Sequence, residues 1–143
     1  MKSLFLLAAS ALASHATAQA ATCPANLAGN YFCVTSDNRL SLATVYMRDV
    51  QSVSLLILDF GRGQRSVYPI NGGLVFDAET TFTGSCPAEN VVRVEARLAS
   101  KPELVPIREI RVENGVNFRI YDSVQGGAAA APELSVKCDQ VLY

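Results

Sequence analysis

Four cysteines and a single histidine carry the strongest claim to chemistry in this 143-residue chain. Cys23, Cys33, Cys86 and Cys138 lie too far apart for a cysteine-only zinc site, which wants close pairs two to four residues apart. An even cysteine count in an exported domain reads instead as two disulfides, with three connectivities open. The histidine, His15, falls in a segment that export would remove. Without it, the Ser-His and Cys-His arrangements that activate a nucleophile have no base. Lys101 and Lys137 sit in surface-like segments, and the thiols are expected to be consumed as disulfides.

Carboxylates are the remaining candidates. Asp77 with Glu79 and Glu109 with Glu113 are the close pairs, and paired carboxylates can hydrolyse glycosides. Charge that alternates along a strand reads more simply as a solvated face. Asp59, which follows Leu55 and Ile57, and Asp122, on the face of Val116, Phe118 and Ile120, are less ordinary. Each marks either a strand end or a polar contact inside a ligand cavity. Arg108 shares the expected core face and could partner Asp122 or hold an anionic head group. Arg108 and Asp122 are therefore the candidate ligand-binding residues, with no catalytic residue, metal or cofactor expected. Gly61-Arg62-Gly63-Gln64-Arg65 lacks the following helix that a phosphate loop needs and reads as a hairpin turn. Five scattered tyrosines and no tryptophan make no stacking platform.

The elements that position these residues begin after residue 20. Lys2, the apolar run Leu4 to Leu12 and Ala18-Gln19-Ala20 have the form of a cleavable signal peptide over 1–20, too short to span a bilayer. A lipidated Cys23 is the rival reading, disfavoured by Thr22 before it and by the odd cysteine count it would leave. Residues 21–143 then form a single domain large enough for a core. Without Lys2 the domain has 11 Lys and Arg against 13 Asp and Glu. No basic cluster stands out, which argues against a nucleic-acid or anionic-membrane partner. After signal cleavage no transmembrane segment is expected.

From Asn30 onward, short strands alternate with turns. Asn30–Thr35, Leu42–Met47 and Val53–Phe60 are strands, the last apolar enough to be covered on both faces. Arg65–Ile70 and Leu74–Phe76 flank Asn71-Gly72-Gly73, which reads as a hairpin turn. Thr80–Gly84 precedes a loop over Cys86–Asn90. Val92, Val94, Ala96 and Leu98 alternate with Arg93, Glu95 and Arg97, the signature of a half-buried strand. A loop containing Pro102 and Pro106 leads to Ile107–Glu113, and Val116–Val124 follows. Between these two, a three-residue loop Glu113-Asn114-Gly115 pairs Val112 with Val116, Ile110 with Phe118, and Glu109 with Arg119, keeping core residues on one face. Gly126–Pro132 is a low-complexity connection. Leu134–Leu142 is a last strand that places Leu134, Val136, Cys138 and Leu142 on one face.

The expected fold is all-β, an antiparallel, largely up-and-down barrel or two-sheet sandwich of about eight strands. In such a barrel the first and last strands are neighbours, so Cys33 and Cys138 can face one another and Cys23 can join Cys86. Leu27-Ala28-Gly29-Asn30-Tyr31 resembles the Gly-x-Trp opening of the lipocalins, with Tyr31 in place of Trp. That resemblance implies an extracellular eight-stranded barrel around a small apolar ligand. Cys23 to Cys33 also resembles the opening of short exported bacterial proteins of unassigned function. The expected function is that of a secreted or periplasmic, non-catalytic barrel binding a small apolar or amphipathic molecule. The alternative is a structural or protein-interaction module of the envelope or secretions, an inhibitor included.

Overall fold

Residues 22–122 and 133–141, which this computed structural model describes, form nine strands, most with period-two apolar patterning and β3 apolar on both faces. In chain order these are β1 (Gly29–Thr35), β2 (Leu40–Val50), β3 (Val53–Asp59), β4 (Arg65–Val75) and β5 (Thr80–Ala88). β6 (Val91–Leu98), β7 (Lys101–Glu113), β8 (Asn117–Asp122) and β9 (Glu133–Gln140) complete them. The signal-peptide segment, the Gly126–Pro132 connection and Leu142 lie outside the described residues.

Each strand pairs antiparallel with the next and β9 pairs antiparallel with β1, closing a barrel. The cross-strand register puts Tyr31, Cys33, Val45, Leu56, Leu58, Val92, Val94, Ile110, Phe118, Ile120 and Cys138 together in one buried core. Each fully buried Leu, Ile or Phe among them contributes roughly 1.5–3 kcal/mol. The Tyr31 ring lies tilted against Phe118 with centroids 5.1 Å apart, and its hydroxyl donates to the Val116 carbonyl at 2.9 Å.

Nine straight strands that alternate in direction would leave β1 and β9 parallel, so one strand must turn. β4 does. Its residues Arg65–Asn71 pair with β3 and Gly72–Val75 pair with β5, with Ile70 as an extra residue at the break. Asn71-Gly72-Gly73 thus turns the chain but is not a hairpin loop: its two arms pair outward, to β3 and β5, rather than with each other. Gly72 adopts φ +96° there, a conformation glycine takes without strain. Gly84 of β5 lies directly on the turning backbone, where a β-carbon would come within 1.9 Å of the Pro69 carbonyl oxygen.

Other differences have equally local causes. β5 runs on to Ala88 through a bulge containing Cys86, where a loop from Cys86 was expected. β7 begins at Lys101 and passes through Pro106, because a bulge opposite Val94 and Glu95 accommodates a residue with no N–H to give. The β7–β8 loop is Asn114-Gly115-Val116, so Val112 pairs with Phe118 and Ile110 with Ile120. Face matching allows any register offset by two, and positive φ at Asn114 and Gly115 centres the turn one residue later than expected. Glu109 accordingly faces Tyr121 and not Arg119. In β9 a bulge opposite Ile120 and Tyr121 turns Leu134 away from the face of Val136 and Cys138.

Both disulfides follow the closure geometry. Cys33 and Cys138 are directly paired across β1 and β9 and bonded, and Cys23 is bonded to Cys86. Two such bridges suit an oxidising, extracellular or periplasmic environment.

Candidate functional site

The register places Arg108 of β7 directly opposite Asp122 of β8 on the interior face. Arg108 Nε stands 2.9 Å from Asp122 Oδ1, while its Nη1 donates to the Ile107 carbonyl at 2.8 Å. The Tyr68 phenol of β4 joins them. Burial pushes its pKa above the ordinary value, the Ser66 hydrogen bond and Arg108 oppose that rise, and Asp122 adds to it. Arg108 and Asp122 thus meet across β7 and β8, within electrostatic reach of the Tyr68 phenol on β4. The two charged side chains remain 40% and 44% exposed, so the pair is a half-wetted strand-end contact worth at most about 1 kcal/mol. Arg108 and Asp122 neutralise each other, which leaves neither as an unopposed charge for a ligand.

Four of the other carboxylates, Asp59, Asp77, Glu109 and Glu113, are engaged in turns and ion pairs. Asp59 accepts from the Gly61 N–H at 2.9 Å and pairs with Arg65 at 3.1 Å, closing the β3–β4 turn. That turn, Gly61 to Gln64, is the hairpin its residues indicate, with positive φ at Gly61, Arg62 and Gly63. Asp77 accepts from the N–H groups of Glu79 and Thr80 at 2.8 and 2.7 Å. These backbone bonds hold both Asp59 and Asp77 below the usual carboxylate range. Glu109 pairs with Arg111 at 2.8 Å and Glu113 with Arg119 at 3.1 Å on the outer wall. Among the described residues no three His, Cys, Asp or Glu side chains gather as a metal site.

The outer wall has two characters. Over Glu109–Glu113 of β7, β8 and Lys137–Asp139 of β9 it is charged: Arg111 also covers the Tyr121 ring at 4.9 Å, and Lys137 stands 3.8 Å from Asp139. Over β1 and β2 it is apolar. Phe32 faces Leu42 and Val34 faces Leu40 across the strand pair, and these four are 44%, 63%, 37% and 66% exposed. Beside them lies an open hollow of about 610 Å³ lined by Phe32, Leu40, Leu42, Phe60, Arg62 and Gln64. A second, of about 350 Å³, shares Leu42 and Phe60 and reaches Asn30, Thr44 and Asp59. A third, of about 270 Å³, lies at the opposite end against Cys23, Pro24, Met47 and Ile70. Neither Arg108 nor Asp122 lines any of the three.

Sequence reading missed Phe32, Leu40, Leu42, Phe60 and Arg62 as a group. A signal was present: Tyr31 and Cys33 are apolar on one row of β1, and Phe32 and Val34 are apolar on the other. With Tyr31 and Cys33 in the core, the alternate row of β1 points to the outer wall, where nothing among the described residues covers it. No family model, no curated protein and no solved structure matches the chain.

Proposed function

We propose that this domain is an exported, non-catalytic recognition module that docks a protein partner of the cell envelope or secretions on the outer face of β1 and β2. The observation that carries the reading is the paired row of exposed apolar side chains, Phe32, Val34, Leu40 and Leu42. Large exposed apolar patches on a soluble fold mark interaction sites, because leaving them in water costs free energy that a partner recovers. Because the barrel is closed, partner recognition rests on side chains and not on strand addition at a free edge. Export is supported by the signal-peptide pattern over 1–20 and by the two disulfides.

A small amphipathic molecule is the second reading. The hollow beside Phe32, Leu40 and Leu42 favours it, since Arg62 at its margin could meet an anionic head group while the apolar side chains hold a chain. In either reading the ligand lies against the outer wall. The lipocalin-like alternative, an interior ligand near Arg108 and Asp122, must contend with a core already occupied by Tyr31, Phe118, Leu56, Leu58, Ile110 and Ile120.

A photoreactive residue at position 42, with one at position 119 on the charged wall as control, tests the proposal in the exporting cell. The expected result is a discrete protein adduct from position 42 that Leu40→Asp abolishes. Equal labelling from both positions would overturn it. A co-purifying small molecule that Arg62→Ala releases, without any protein adduct, would favour the second reading.

A further inference from the structure

The two disulfides occupy different environments. Cys33 and Cys138 are fully buried between β1 and β9. Cys23 and Cys86 are only half-buried, and a hollow of about 270 Å³ opens beside Cys23, bounded by Pro24, Ala25, Met47 and Asn71. Cys86 also sits in the β5 bulge, where the ladder to β6 is already interrupted. Both its sulfur and that of Cys23 lie within 3.9 Å of the Ile70 carbonyl, at the turn of β4. The strap from Thr22 to Ala28 therefore crosses one end of the barrel. Besides a long hydrogen bond from Gln140 Nε2 to the Ala28 carbonyl at 3.5 Å, it is held by the Cys23–Cys86 bond and by Leu27, which is buried in the core.

We propose that Cys23–Cys86 is a reducible latch on this end of the barrel, and that Cys33–Cys138 is the permanent closure. A dithiol reductant, protein or small molecule, supplies the electrons. One of its thiolates attacks a sulfur of the Cys23–Cys86 bond, forming a mixed disulfide and releasing the other cysteine as a thiolate. The second thiol of the reductant then displaces the bound cysteine, so the reductant leaves as a disulfide and two protein thiols remain. Two electrons and two protons have been transferred. Thr22 to Asn26 is then free to leave the barrel end, and Leu27 is held by burial alone. Met47 and Ile70, which the strap borders, gain access to solvent. No ladder hydrogen bond need break, so the barrel persists in the reduced form.

Timed reduction of the full oxidised protein at neutral pH, with alkylation and peptide mass mapping, tests the proposal. Cys23 and Cys86 are expected to be alkylated at least tenfold faster than Cys33 and Cys138. Far-UV circular dichroism should hold constant while binding of an environment-sensitive hydrophobic dye rises. Loss of both bridges at one rate, or only as the circular dichroism collapses, would overturn the latch. A Cys23→Ser/Cys86→Ser variant should bind dye and lose residues 22–26 to limited proteolysis without reductant. If it folds and matches the oxidised protein in both assays, the bond controls nothing. If it does not fold, the alkylation order in the native protein still decides.

Discussion

A β-carbon on Gly84 would lie 1.9 Å from the Pro69 oxygen and 2.4 Å from its carbon, both backbone atoms that cannot rotate away. Gly84→Ala is therefore expected to cost on the order of 3 kcal/mol or more, or to prevent folding, as chemical denaturation would show. Gly61, with nothing within 4 Å of its β-position, owes its glycine to a φ of +79° alone, so Gly61→Ala should cost much less. Tyr31 and Tyr68 set the alkaline limit. Burial raises both phenols above their ordinary value of 10.0, so the unfolded chain loses these protons first. Their contribution is complete below pH 10 and falls as pH rises through the higher folded values. Melting temperature should drop as pH rises above about 10, and Tyr68→Phe should flatten that drop. At this scale the sequence was informative about Arg108 and Asp122, since both fall on the interior face and meet. Their half-exposed position fits the strand-end reading, which the sequence offered beside a ligand cavity. Choosing between the two needs the end of the barrel wall, which no single strand reveals.

Strands were legible wherever alternation was regular, as in β6, and in β3 where both faces are apolar. They were misread where a strand bends. Asn71-Gly72-Gly73 has hairpin residues and does turn the chain, yet only the positions of β3 and β5 decide what its arms pair with. Pro106 has the residue type of a loop, and a bulge formed with β6 keeps it in a strand. The β7–β8 register was off by two for the same reason: parity is local, whereas the Tyr31 contacts with Phe118 and Val116 come from a strand some 85 residues away. Closure of the seam between β1 and β9 was legible through Cys33 and Cys138. Replacing both with serine removes a cross-link spanning 105 residues and should cost on the order of 4–5 kcal/mol through the unfolded chain. Guanidinium midpoints measured on oxidised wild type and the double variant would check this.

The molecule as a whole is an asymmetric barrel, with a charged patch over Glu109–Glu113, β8 and Lys137–Asp139 and an apolar row over β1 and β2, besides the exposed Val75 and Phe76. Because Leu40 and Leu42 lie outside the core, Leu40→Asp and Leu42→Asp should change stability by less than about 0.5 kcal/mol, raise solubility and abolish partner capture. A substantial loss of stability would mean these side chains support the fold and not recognition. The turn in β4 has a consequence for mechanical continuity. Round the circumference, successive strands are tied by ladder hydrogen bonds, but the two arms of β4 are tied through the chain itself. A single cut between Asn71 and Gly72 therefore opens the belt, whereas a cut in the Gly61–Gln64 turn leaves β3 and β4 zipped together. Both nicked proteins stay in one piece, because Cys23–Cys86 and Cys33–Cys138 each join the two fragments. With engineered protease sites at the two places, only the first cut should erase the β-sheet circular dichroism.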